Sequence, residues 1–166
     1  MNRIVAMLVG STAFVGFVVC GTTEKKNITS LPVVHADAPK GCSLEAVAGN
    51  WGFTLTGSAT LPSGQVLVAA VGTVTVDDQG NLSGTEARSV GGGYADETVT
   101  GTWTVSANCT GTLNAKIYES GQLVRISVTS ITFDDDSKEF RMVQKSLTLP
   151  DGTELPVVIT LEGKKQ

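Results

Sequence analysis

The chain has 166 residues, with 12 Lys and Arg against 16 Asp and Glu, for a formal net charge of −4. An acidic balance with no dense Lys/Arg cluster excludes nucleic-acid partners, which need a basic face, and leaves nothing to grip an anionic membrane surface. The single histidine, His35, falls in the N-terminal part, so Ser-His-Asp and Cys-His catalysis and His-rich zinc sites are excluded from the folded part.

Residues 1–20 read as a signal peptide or N-terminal anchor. Met1-Asn2-Arg3 is a short basic start, and Ile4 to Val19 is apolar and uncharged. That run is shorter than the ~20 residues of a spanning helix, which favours export with cleavage over a retained anchor. Ala36-Asp37-Ala38 has the small-x-small form of a cleavage site, and Val18-Val19-Cys20-Gly21 faintly resembles a lipobox, with Cys20 as the acylated residue. The expected location is therefore periplasmic, envelope-associated or extracellular, and a membrane is touched only through this segment. Residues 21–41 lack apolar periodicity and read as a flexible linker. Asn27-Ile-Thr, Asn81-Leu-Ser and Asn108-Cys-Thr fit the glycosylation sequon, which matters only in a eukaryotic secretory pathway.

Residues 42–166 form the expected domain, and about 125 residues are enough for a real core. Nineteen glycines with many Thr, Val and Ser favour strands and turns over helices. Ser43 can cap one helical turn over Leu44–Val47. Eight strands then follow with short connections: Asn50–Ser58, Gln65–Val76, Leu82–Val90, Tyr94–Ser106, Thr112–Glu119, Leu123–Phe133, Phe140–Leu149 and Val157–Leu161. Pro156 stands at the start of the last, where its missing N–H does no harm. Three hairpins resemble one another: Gly72–Gly84, Gly101–Gly111 and Ser130–Phe140. No connection has room for a crossover helix, so the expected fold is all-β, an eight-stranded antiparallel up-and-down β-barrel. Such a meander closes on itself and removes its edges; a β-sandwich of the same strands is the alternative.

In a meander the polar turns after the second, fourth and sixth strands share one rim, and the Gly-containing turns share the other. Cys42 precedes the first strand and Cys109 lies in the turn after the fourth, so both belong to the polar rim. A Cys42–Cys109 disulfide across the barrel's end is expected in an exported protein.

Gly49-Asn50-Trp51, after a helical turn and opening the first strand, resembles the Gly-x-Trp signature of lipocalins. In that family the tryptophan plugs the closed end of a calycin barrel, and most members bind apolar ligands. Gly101-Thr102-Trp103 is a second copy. The short hairpins and Gly-rich turns also resemble the allene-oxide-cyclase-like and dirigent barrels, which shape a reactive ligand in a similar cavity, and the closest likeness is to bacterial exported proteins of this broad type.

Alternation supplies the candidate ligand-binding residues. Trp51 and Phe53 share a face of the first strand. If Val74 and Val76 face inward, so does Leu82 across the turn, and Glu86 and Arg88 follow on the same face. Inside a barrel they would pair and orient the polar end of a ligand, or move a proton; a register shifted by one would put both in solvent. Trp103 joins the set from the fourth strand, and Tyr94 and Tyr118, beside Asp96 and Glu119, come near the Gly-rich rim. Asp134-Asp135-Asp136 lacks the ligand spacing of a calcium loop and reads as a solvated turn. No metal or cofactor motif is found. The second strand is apolar on both faces, so its outer face is a candidate contact between copies in a homo-oligomer. The function expected is non-catalytic binding of a small apolar molecule in the barrel. The alternatives are a cyclase- or isomerase-type enzyme working by conformational restraint, and a structural module of the envelope.

Overall fold

A computed structural model describes residues 41–134 and 137–166. The leader and linker with Cys20, Asn27 and His35, together with Asp135 and Asp136, lie outside the described residues. Every expected strand forms: β1 (Gly49–Leu61), β2 (Gly64–Val76), β3 (Asn81–Val90), β4 (Gly93–Val105), β5 (Thr110–Glu119), β6 (Gln122–Phe133), β7 (Glu139–Thr148) and β8 (Val157–Lys165), preceded by the single turn of α1 (Leu44–Val47). They pair in sequence order, all antiparallel, and β8 pairs with β1 to close the barrel. That pairing, from Trp51 opposite Lys165 to Ala59 opposite Val157, rules out the sandwich.

The turns follow from local chemistry. Gly91-Gly92 and Ser120-Gly121 each connect strands in two residues, and all four residues have positive φ, between 51° and 90°. This is the backbone of the tight hairpin turn whose twist matches the strands. The eighth strand runs past Leu161 to Lys165, farther than hydrophobicity indicates, because its outward positions Glu162 and Lys164 are charged while Gly163 fills the inner one. Glycine is needed there: a Cβ on Gly163 would collide with the outer end of the Phe140 ring. In the acidic turn, the Asp134 carboxylate accepts the backbone N–H groups of Lys138 and Glu139, a local structural use of that side chain.

The two rims differ. At the polar rim, Ser43 Oγ caps α1 through the Ala46 N–H at 3.1 Å, and α1 lies across the barrel's end. Its Val47 is fully buried and its carbonyl accepts the Trp51 indole N–H at 2.9 Å. Below sit Trp103, Phe133 and Phe140, with ring centroids 5.2 to 6.3 Å from Trp51. These tilted and edge-to-face contacts are worth about 0.5–1.5 kcal/mol per pair beyond burial. The Cys42–Cys109 disulfide pins this lid, with Cα atoms 4.9 Å apart. Cys109 takes a left-handed φ of 63°, held by its N–H to the Ser106 carbonyl and its carbonyl to the Phe133 N–H. Lys165 closes the far side, donating to the Ala46 carbonyl at 2.9 Å.

On the outside, Leu67 is 77% exposed, Val71 58% and Val158 72%. Leu67 and Val158 flank Ser58 in one row across β2, β1 and β8, so the apolar outer face of β2 extends over three strands.

The bridge spans 67 residues, and in the chain-entropy picture a loop of that length is worth about 4 kcal/mol. Cys109→Ser is expected to lower the thermal midpoint by on the order of 10–20 °C while far-UV circular dichroism at low temperature stays β-rich. Mass mapping under non-reducing conditions checks the pairing. Two free thiols in protein from an oxidising compartment would count against it.

Candidate functional site

The barrel interior is filled at one end and hollow at the other. Below the aromatic plug a cavity of about 250 Å³ extends to the Gly-rich rim. Its floor is Phe53, Trp103 and Phe140. One wall is aliphatic, with Leu55, Leu147, Ile159 and Leu161. At the mouth stand Leu61 and Val90 from the strand ends, and Leu149 and Leu155 from the β7–β8 loop. That loop folds back on β7 through the Leu155 N–H to Leu147 carbonyl bond at 2.9 Å. Charge enters the cavity from β3 and β6, as Glu86, Arg88 and Arg125.

Strand alternation brings these groups together. Glu86 of β3 stands opposite Glu97 of β4, and both are buried. Arg125 enters from β6, where a bulge places Ile117 opposite Arg125 but Tyr118 opposite Leu123, leaving Val124 as the extra residue. Such a bulge re-aims side chains, and here both Val124 and Arg125 line the cavity. The Arg125 guanidinium donates to both Glu97 oxygens at 2.6 and 2.7 Å, and to Glu86 at 2.6 Å. Arg88 Nε donates to Glu97 at 2.9 Å, and its Nη2 lies 4.0 Å from the half-exposed Glu119. Glu97, whose side chain is fully covered, is thus the hub of the cluster.

The two buried carboxyls titrate apart. Burial pushes Glu86 up, Arg125 opposes this, and the hydrogen bond and charge of Glu97 push it further, to about 7. Burial pushes Glu97 up as well, but the hydrogen bonds from Arg125 and Arg88 outweigh it and hold Glu97 at about 2. Around neutral pH one carboxyl is firmly ionised and the other stands near its midpoint. The separation follows from position: Glu97 receives hydrogen bonds from both arginines, and Glu86 receives one from Arg125.

Of the residues read from the sequence, Phe53, Glu86, Arg88 and Trp103 line the cavity; strand β3 therefore has the register that carries Glu86 and Arg88 inward. Trp51 lies in the plug, completely buried, and is not on the cavity wall. Tyr94 and Tyr118, expected at the mouth, belong to the outward set: each alternates with a buried neighbour, Ala95 and Ile117. Tyr94 is 67% exposed and donates to Asp96 on the outer surface. Arg125 and Glu97 escaped the sequence reading, although two-residue steps back from Phe133 and from Trp103 reach both. The Trp103 indole N–H is buried without a hydrogen-bond partner, in contrast with that of Trp51. Among the described residues no group of three or more His, Cys, Asp or Glu is placed to hold a metal ion.

No protein-family model matches the chain, and no curated protein matches it. Among solved structures it is similar to a redesigned β-barrel, mFAP1, bound to DFHBI. The TM-score is 0.48 and the identity 18%, over 74% of this chain and 98% of that one.

The ion cluster makes stability depend on pH in two opposite senses. Glu86 holds its proton more tightly folded than unfolded, so its contribution is complete below about pH 4.5 and is lost as the pH rises through about 7. Glu97 behaves oppositely: its contribution is complete above about pH 4.5 and is lost as the pH falls through about 2. Glu86→Gln is therefore expected to flatten the loss of stability between pH 5 and 8, on the order of 2–3 kcal/mol in the parent, as measured by urea unfolding across that range. Arg125→Met leaves two buried carboxyls facing each other and is expected to cost about 3–5 kcal/mol at neutral pH.

Proposed function

We propose that this protein is an exported, lipocalin-like barrel that binds a small, largely apolar molecule in its interior without transforming it. The observation that carries the reading is the 250 Å³ cavity itself. A close-packed interior has few voids larger than a water molecule, whereas this one is lined mostly by aliphatic and aromatic side chains with a few convergent polar groups, the usual character of a ligand site. The closed end supports it: the disulfide, the lid and the plug shut one rim, so a ligand enters past Leu149 and Leu155 at the other.

A second reading, a cyclase- or isomerase-type enzyme, is favoured by one specific feature: Glu86 and Arg88 face the cavity. A carboxyl with its pKa near 7 in a water-poor site can give a proton to a bound molecule and take it back. Binding is the common requirement of both readings, and conversion of the bound molecule separates them.

Native mass spectrometry of protein purified from its host under non-denaturing conditions is expected to show an adduct of one small molecule, lost on denaturation. Ser127, on the cavity wall, offers the control. Ser127→Trp fills the space, and it is expected to abolish the adduct while keeping the β-rich spectrum. An adduct that persists unchanged in this variant would place the ligand outside the barrel.

A further inference from the structure

The charged wall says more about the occupant than apolarity alone. Arg88 and Arg125 both face the cavity, and the hydrogen bonds they make use only part of their donors. A guanidinium has five N–H groups; Arg88 makes one short bond, from Nε to Glu97, and reaches Glu119 only at 4.0 Å. Arg125 spends its bonds on Glu97 and Glu86. Donors therefore remain on a wall that faces an otherwise apolar space. The charge balance points the same way. With Glu86 protonated, the inner wall holds one carboxylate, Glu97, for two guanidinium groups, and the remaining counter-charge is the half-exposed Glu119, 4.0 Å from Arg88.

We propose that the cavity takes a small amphipathic carboxylic acid, bound as its anion, with the head against Arg88 and Arg125 and the body against the leucine wall. This rests on the reading of the barrel as an interior binder and names its ligand class. At roughly 30 Å³ per methylene-sized group, by analogy with the volume share of a water, the cavity holds about eight such groups, the size of octanoate. Planar guanidinium groups suit a carboxylate, which accepts two parallel N–H bonds.

Binding is coupled to a proton. The anion sits best beside protonated Glu86, so above about pH 7 each anion that enters draws one proton with it. The charged groups around Glu86 are Arg88 on its own strand, Glu97 on β4 and Arg125 on β6, with Glu119 of β5 touching Arg88. The inward positions of the neighbouring β2, among them Ala70, Gly72 and Val74, carry no titratable group.

Isothermal titration of the purified protein with octanoate and with 1-octanol, at pH 6 and pH 8.5, tests this. Octanoate is expected to bind at least tenfold more tightly than 1-octanol at pH 6, and to lose at least tenfold by pH 8.5, with proton uptake visible between buffers of different ionisation enthalpy. Arg88→Gln should cost octanoate at least tenfold and leave 1-octanol within about twofold. Should that variant fail to fold, Glu119→Gln, which removes a competing anion at the exposed edge, should tighten octanoate. Equal binding of octanoate and 1-octanol, or tighter binding of octylammonium than of either, overturns the acid assignment while the interior-binding reading stands. Binding of none of the three overturns both.

Discussion

The pairing of β1 with β8 is the constraint on which the rest depends. An open meander of eight strands would leave two edges and a flat sheet with one buried face. Closure turns that face into an interior, and eight strands make it just wide enough for side chains or one small ligand. Once the barrel is shut, period-two alternation is no longer a local preference. Every residue in phase with Trp51, Val74, Trp103 or Ile131 must enter the same space, whatever its chemistry. Glu86, Glu97 and Arg125 are inside for that reason, and there they pair with one another.

Closure alone gives no polarity to the barrel; the ends do that. At one rim large rings meet, and Gly72 and Gly163 supply the room that Phe53 and Phe140 need. A one-turn helix cannot hold itself in water, so α1 stays because Val47 is buried, because its carbonyl receives Trp51, and because Cys42 is tied to Cys109. At the other rim the side chains are smaller or aliphatic, and among the described residues no second helix covers them. The interior therefore empties toward that rim, and the cavity's position is a consequence of where the tryptophans and phenylalanines fall.

The charged wall is expensive by the standards of a core. Each buried ion costs several kcal/mol in desolvation, and an apolar repacking of the same volume would be as stable or more so. A cluster of this kind is better understood through what it does to the cavity. It keeps part of the cavity lining polar and places there a carboxyl with its pKa raised to about 7. The interior reading and the acid-binding reading both follow from that asymmetry between the leucine wall and the arginine wall.

The sequence by itself determined the strand count, the turns, the sorting of turns to two rims and the partnership of Cys42 with Cys109. The strand count and the turns depend on near neighbours in the chain, through alternation and glycine at positive φ, and the rims and the cysteine pair follow from the parity of an antiparallel meander. It also offered Glu86 and Arg88, but with two registers open, because a one-residue slip exchanges the faces of a strand and neither face of β3 is plainly hydrophobic. Only the tertiary structure decided that register, by setting Leu82 beside the plug and Glu86 opposite Glu97. It set Trp51 in the plug, as the Gly-x-Trp resemblance implied, and off the cavity wall where its shared face with Phe53 had grouped it, and it turned Tyr94 and Tyr118 outward, since which residues meet at a rim depends on strand tilt and closure. Val124 joined the cavity wall beside Arg125 through a bulge against β5, a feature of two strands together, and the hollow beneath Trp103 is a difference between the volume enclosed and the volume filled. Those are properties of packing between distant segments, and no stretch of the chain carries them alone.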